Sequence, residues 1–250
     1  MSGTRLSVQL YTVREQLADD VSGTLKRLAE VGFTQVEPFA LTDFADRLGP
    51  ALQENGLSAP TTHQSFVGSS DADLAAVFAT ASRLGVGTVV DPFVAPERWG
   101  ARSDVEEVAA QLNAAARVAA DHGVRVGYHN HAHELESVLA GTTALEVLAG
   151  ALDDAVALEV DTYWVAVGRQ DPVALLRRLG ERVVALHVKD GPVTKDNLDQ
   201  VAVGRGSMPV RDIVEAAPQA LRVVELDDSR GDRFQAVADS FAYLSAQGLA

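Results

Sequence analysis

The chain has 250 residues, 47% of them hydrophobic, enough to bury the core of one α/β barrel or of two small domains. Its 21 Lys and Arg against 35 Asp and Glu give a formal charge of −14, a field that repels nucleic-acid phosphates and anionic membranes and argues against both as partners. The absence of cysteine removes disulfides, thiolate nucleophiles and Cys-ligated zinc, leaves His and carboxylate for any metal, and accords with a reducing compartment.

No low-complexity linker divides the sequence. From Met1 it runs directly into strand-like alternation, with no basic-then-apolar leader pattern and no run near 18 apolar residues, so a soluble cytoplasmic protein is expected. Short β-branched runs alternate with Ala/Leu/Glu/Arg-rich stretches, the mark of repeated βα units. The first strand is expected at Leu6 to Leu10, followed by a helix through Thr24, Leu25 and Leu28 that stops at Gly32, a residue able to take the left-handed conformation. Gln35 to Glu37 is the second strand, and a helix from Thr42 to Glu54 leads to the third at Ser58 to Thr62. Asp71 is expected to cap the next helix, ahead of strand four at Thr88 to Val90.

A long Ala-rich helix from Asp104 to Asp121 carries Val105, Val108, Leu112, Ala115, Ala116 and Ala119 at helical spacing, before strand five at Val124 to His129. Thr143 to Leu152 is a helix and Val156 to Val160 strand six. Asp171-Pro172 opens another helix as N-cap and first helical residue, then comes strand seven at Val183 to Val188. A helix from Val210 to Ala217, strand eight at Arg222 to Leu226 and a closing helix from Arg233 to Ala246 complete the pattern. Eight strands alternating with eight helices in 250 residues indicate a single (β/α)8 TIM barrel over 1–250. A doubly wound sheet would show a Gly-rich first turn, which Leu6 to Thr12 lacks.

Such barrels work at the C-terminal ends of their strands, and here almost every strand ends in polar residues: Glu37, His63 and Gln64, Asp91, His129-Asn130-His131, Asp161, His187 with Lys189 and Asp190, and Glu225 with Asp227. Four of the six histidines fall at these ends, whereas surface histidines would scatter over helices. Imidazole and carboxylate converging without thiol suit Mn, Mg, Co, Fe or Zn. Strand alternation puts His129 and His131 on one side and Asn130 on the other, so both imidazoles could reach one ion, or His131 could instead be a core histidine. His122 compensates a helix end, and His133 is expected in a loop.

Gly85-Val86-Gly87 precedes a strand and is an αβ turn, not a nucleotide fingerprint. Gly204-Arg205-Gly206-Ser207 follows strand seven, where barrels hold phosphate or other anions through backbone N–H groups, which makes Arg205 a candidate substrate contact. The stretch from Asp227-Asp228 to Asp232 is expected to be a solvated turn, and Trp164 and Phe66 to line the pocket mouth.

The segments Gly127-Tyr128-His129-Asn130-His131, Glu159-Val160-Asp161-Thr162-Tyr163-Trp164, His187-Val188-Lys189-Asp190, Val203-Gly204-Arg205-Gly206 and Val224-Glu225-Leu226-Asp227, with weaker matches at Val36-Glu37 and Thr62-His63, resemble the xylose isomerase-like barrel superfamily, in its sugar phosphate isomerase/epimerase branch. In that superfamily's ketose epimerases a Glu, Asp, His, Glu set from strands five to eight holds one divalent ion, and the two glutamates move the protons. Asp161, His187 and Glu225 are similar to the last three positions. The first falls on His129, a departure that puts an imidazole where the epimerase mechanism uses a carboxylate.

The resemblance implies a small-molecule sugar or keto-sugar substrate, one divalent ion on His129, Asp161, His187 and Glu225, Glu225 as base, and Lys189 as polarising cation. Glu37, His63, His131, Glu134, Trp164 and Arg205 are the expected substrate contacts. A proton removed α to a carbonyl would be returned from His129, His131 or Glu134, giving an isomerase or epimerase. Without that return, a β-leaving group would depart, as in inosose dehydratases and lyases of 3-keto-glycosides.

An amidohydrolase-type barrel would carry paired histidines on strand one, where only Gln9 and Tyr11 stand, and an endonuclease is disfavoured by the charge. A sugar-binding protein on a decayed barrel would hold no stoichiometric metal. Short βα loops leave little lid, so a second subunit could help close the pocket, and the oligomeric state stays open.

Overall fold

Parallel pairing dominates the computed structural model, which describes residues 5–250; positions 1–4 of the expected barrel lie outside the described residues. The strands are β1 (Leu6–Val8), β2 (Thr61–His63), β3 (Thr88–Asp91), β4 (Arg125–His129), β5 (Val138–Leu139), β6 (Thr142–Thr143), β7 (Ala157–Asp161), β8 (Val183–Val188) and β9 (Leu221–Val224). Seven form one parallel sheet in the order β1-β9-β8-β7-β4-β3-β2, and β5 and β6 make a separate antiparallel pair.

The eighth barrel position belongs to Gln35–Glu37. This segment makes only single bridges, Gln9 with Glu37 and Gln35 with Ser58, so it is too short to register as a strand. Its backbone nevertheless bonds on both sides: Glu37 N–H to Val8 O at 2.8 Å and Val36 N–H to Ser58 O at 2.9 Å. Pro38 has no N–H to give but its carbonyl still accepts the His63 N–H at 2.8 Å, and the curled sheet is closed through this segment as a TIM barrel.

Helices cover the outside. In Arg102–Ala120 the buried residues Val105, Val108, Ala109, Leu112, Ala115, Ala116 and Ala119 form one stripe at three- and four-residue spacing. Burying a side chain such as Leu112 contributes about 1.5–3 kcal/mol. Gly32 ends Val21–Val31 at φ 122°, and a Cβ there would also strike the Phe241 ring. Two local expectations are corrected. Ser70, not Asp71, caps Asp71–Arg83 by accepting the Asp73 N–H, since its hydroxyl stands one residue ahead of the first helical residue. His133 begins the short helix His133–Glu136 instead of lying in a loop, its Nε2 being 3.1 Å from Val94 O. Among the described residues no helix is long and apolar enough to cross a membrane.

Candidate active site

Strand periodicity assembles the site. Alternate residues of a strand face the same side, so Glu159 and Asp161 on β7 both point into the barrel, and both are buried. The β7–β8 register shifts at Leu158/Glu159, the kind of irregularity that re-aims side chains beside working sites. Asn130 fastens β4 to β7: its side-chain oxygen accepts the Asp161 N–H at 3.1 Å and its amide donates to Asp161 O at 3.3 Å. Asp161 also caps Thr162–Val167, Oδ1 accepting the Trp164 N–H at 2.9 Å. That leaves Oδ2 directed at the ammonium of Lys189, 2.9 Å away.

His187 is the hub. Its Nδ1 lies 2.6 Å from Glu225 Oε2 and its Nε2 2.7 Å from Glu37 Oε1, with Glu159 Oε1 3.0 Å from the same Nε2. His63 stacks parallel on His187 with ring centroids 5.1 Å apart, and its Nε2 is 2.5 Å from Glu159 Oε1. His129 directs Nδ1 to the same oxygen at 3.0 Å, while its Nε2 lies 3.8 Å from Asp161 Oδ2. Glu37 is fixed from behind by Gln9 Nε2 at 2.8 Å and by the Thr61 hydroxyl. Lys189 Nζ sits 2.8 Å from Glu225 Oε2 and 2.7 Å from Asp227 Oδ2.

Burial and charge act against each other here. Burial alone would lower His187, but the carboxylates of Glu159, Glu225 and Glu37 hold it well above the usual histidine range. His129 falls well below that range through burial and the neighbouring His187, and burial with the Lys189 charge brings His131 down to about 4. Burial would raise Glu225, yet Lys189 and His187 keep it well below the carboxylate range. Asp161 is pushed up to about 6 by burial despite Lys189.

These donors fit a divalent cation. Asp161, His187 and Glu225 each offer one atom within 4.8 Å of the others, as do His63, His129, Glu159 and His187. Around Lys189 three carboxylates face one ammonium, so negative charge is in excess there. Glu159 Oε2, buried, accepts no hydrogen bond, and Asp161 Oδ2 meets the Lys189 ammonium; a buried carboxylate oxygen is costly to leave unmatched.

Above this cluster opens a cavity of about 560 Å³ whose lining includes His63, His129, His131, Glu225 and Asp227. Asp161, His187, Lys189 and Glu37 are buried outside that lining. Glu134 also lies outside it, its carboxylate taken by the Tyr128 hydroxyl at 2.6 Å and the His131 N–H at 2.9 Å. Trp164 is buried with its ring 6.2 Å from His131, and Arg205 is exposed away from the lining.

The mouth is built differently from expectation. Phe66 packs inside on Phe78, because Asp91 Oδ2 accepts the Phe66 and Val67 N–H groups and draws that loop inward. Tyr11, Phe39 and Phe93 take the lining positions instead. Asp227 and Asp228 are half-buried cavity residues, held by Lys189 and Arg14, not a solvated turn. Glu159 enters the sequence analysis only within the segment Glu159 to Trp164; its place two residues before Asp161 on an apolar strand is the signal that singles it out.

A family model for the xylose isomerase-like TIM barrel matches residues 25–244, nearly the whole chain. The chain belongs to the xylose isomerase-like TIM-barrel family. Among solved structures this family member is similar to a sugar phosphate isomerase/epimerase from Parabacteroides distasonis, at 25% identity and TM-score 0.85 over 100% of this chain and 96% of the other. The IOLI protein with a zinc atom shares the fold at 15% identity and TM-score 0.74, over 98% of each chain. So does the probable 3-DHS dehydratase AsbF of Bacillus anthracis, at 14% and 0.74, over 97% and 99%. A search of curated proteins finds no match.

Proposed function

We propose that this barrel is a metal-dependent isomerase or epimerase of a sugar or sugar derivative, with His129, Asp161, His187 and Glu225 holding one divalent ion. The observation that carries the reading is the meeting of Asp161, His187 and Glu225 in one buried donor group below a cavity that Glu225 and His129 line. The zinc of the similarly folded IOLI protein supports a metal in this fold, and oxygen and imidazole donors suit Mn, Mg, Co, Fe or Zn. An ion bound there supplies positive charge for a carbonyl oxygen that turns negative as its neighbouring carbon is deprotonated.

The chain's own residues do the rest. Glu225, kept ionised by Lys189 and His187, takes the proton from the carbon next to the carbonyl; the C–H electron pair becomes the enediolate double bond as the carbonyl π pair moves to its oxygen, and the proton returns either to the former carbonyl carbon, with the hydroxyl proton passing to the former carbonyl oxygen (isomerisation), or to the same carbon from the opposite face (epimerisation). Lys189 is buried under Asp161, Glu225 and Asp227 and acts through Glu225. His63 and His131, on the lining, face the sugar hydroxyls.

One observation favours a second reading. The imidazoles of His129 and His131 both sit low in pKa, so at neutral pH neither carries a spare proton for the face opposite Glu225. Return by Glu225 itself on the same face, or expulsion of a β-leaving group as water or an alcohol, meets less resistance than delivery from that opposite face. The dehydratase among the structural neighbours is in keeping with the elimination route. Incubating the metal-loaded protein with ketoses in deuterated water tests both: solvent deuterium on a sugar carbon without loss of water supports isomerisation, and an enone or dehydrated product overturns it in favour of elimination.

A further inference from the structure

Glu37 is wholly buried, lies off the cavity lining, and has no task in the proposed reaction. Its backbone is anchored to β1, the N–H donating to Val8 O at 2.8 Å and the carbonyl accepting the Leu10 N–H at 2.9 Å. Behind the side chain, Gln9 Oε1 accepts the Tyr11 N–H at 3.1 Å. That bond fixes which end of the amide faces Glu37: Gln9 Nε2 donates to Glu37 Oε1 at 2.8 Å, and the Thr61 hydroxyl donates to Oε2. What remains in front of this braced carboxylate is imidazole, His187 Nε2 at 2.7 Å and His63 Nε2 at 3.3 Å.

The rings of His187 and His129 each span two levels. On one level His187 Nδ1 is 2.6 Å from Glu225 Oε2 and His129 Nε2 is 3.8 Å from Asp161 Oδ2. On the other, His187 Nε2 meets Glu37 and His129 Nδ1 meets Glu159 at 3.0 Å. Glu37 Oε1 already accepts the Gln9 amide, so the hydrogen between it and His187 belongs to Nε2. A neutral imidazole carries one N–H, and Nδ1 is then the nitrogen whose lone pair is free for an ion. The His63 ring, stacked 5.1 Å from His187 and 8° from parallel, opposes a flip that would exchange the two nitrogens.

We infer that Glu37 is a positioning residue of the metal centre, acting through His187: it holds the Nε2 hydrogen and so turns Nδ1 to the ion shared with Asp161 and Glu225. A substrate contact, the role its strand-end position suggests, would need an oxygen on the cavity. Both oxygens are instead spent on Gln9, His187 and Thr61. The inference deepens the proposed function and rests on its ion.

Two measurements on the full chain test it. Long-range proton–nitrogen NMR spectra of the zinc-loaded parent, with the His187 ring assigned through its own Cβ, are expected to show Nε2 protonated and Nδ1 bound to zinc. A zinc-bound Nε2, the nitrogen that faces His63 and Glu159, overturns the inference, and this spectrum decides whether or not the variants fold. Competition for zinc with a chelating dye is expected to show about 10–100-fold weaker binding in Glu37→Leu, the loss typical of a histidine ligand deprived of its outer partner. Glu37→Gln should stay near the parent, because its amide oxygen still accepts the Nε2 hydrogen while its NH2 faces the Thr61 hydroxyl. Equal affinity of Glu37→Leu and the parent overturns the inference, as does a loss in Glu37→Gln as large as that in Glu37→Leu. A parent that takes up no ion fails the proposed function and this inference together, whereas an ion held equally by the parent and Glu37→Leu fails this inference alone.

Discussion

His129 Nδ1 lies 3.0 Å from Glu159 Oε1, and this contact decides which ring nitrogen is free for Asp161. A carboxylate on one imidazole nitrogen fixes the tautomer and orients the other towards a metal, and losing such a partner typically costs 10–100-fold in metal affinity. Glu159→Gln should therefore weaken zinc or manganese binding by about 10–100-fold, while Asp161→Asn should abolish it. Competition with a chelating dye measures both. The reverse ranking would put the ion among His63, His129, Glu159 and His187, the other donor group.

Lys189 places one ammonium among three carboxylates. Lys189→Met keeps the length and removes the charge, leaving Asp161 and Asp227 without that ammonium and Glu225 with His187 alone, and breaking a buried ion pair from one side costs about 3–5 kcal/mol. Urea unfolding of the metal-free protein should show a loss of that size, with part of it recovered when Asp227→Asn is added. Equal stability of Lys189→Met and the parent would contradict this placement of the charges.

Glu134 gives a pH signature clear of the proposed ligands. Burial pushes its carboxyl up to about 7, against about 4.3 in an unfolded chain. The folded state then holds the proton longer than the unfolded state, so this group's contribution is present below about pH 4.3 and is lost as pH rises through about 7. The loss is on the order of 3 kcal/mol. Glu134→Gln can still accept the His131 N–H and donate to Tyr128, and removes the ionisation. Subtracting its unfolding free energies from the parent's across pH 4 to 8 should yield a falling curve over that window, and a flat difference would contradict the raised pKa.

Asp190 should matter to folding more than to chemistry. Asp190→Ala removes the acceptor for the Gly191, Gly204 and Met208 N–H groups, and an unsatisfied buried donor costs about 1–3 kcal/mol. Thermal unfolding should fall by several degrees while the metal content stays that of the parent. Metal loss without destabilisation would assign this carboxylate to the site.

Much of the barrel was legible because period-2 apolar runs and helix-end glycines are local signals. The closing helix Arg233–Ala246 and strand Val183–Val188 fall where the pattern put them. Gln35–Glu37 was harder, since three residues before a proline pair too briefly to register as a strand. At the site, the convergence of His63, His129, His187, Asp161 and Glu225 followed from strand ends. Which of them would face the cavity did not, because Lys189 and Glu37 are drawn under it by partners distant in sequence. The loop of Gly204-Arg205-Gly206 looked like an anion site because nothing in its sequence tells that Asp190 fills it.

Metal content separates a metal-dependent barrel from one that only binds sugar. Inductively coupled plasma mass spectrometry of the protein, purified without chelators and then offered Mn, Mg, Co, Fe or Zn, should give one divalent ion per chain, lost in Asp161→Ala and in Glu225→Ala. A chain that takes up no stoichiometric ion from any of them, or variants that keep theirs, would rule out a metal centre on Asp161, His187 and Glu225.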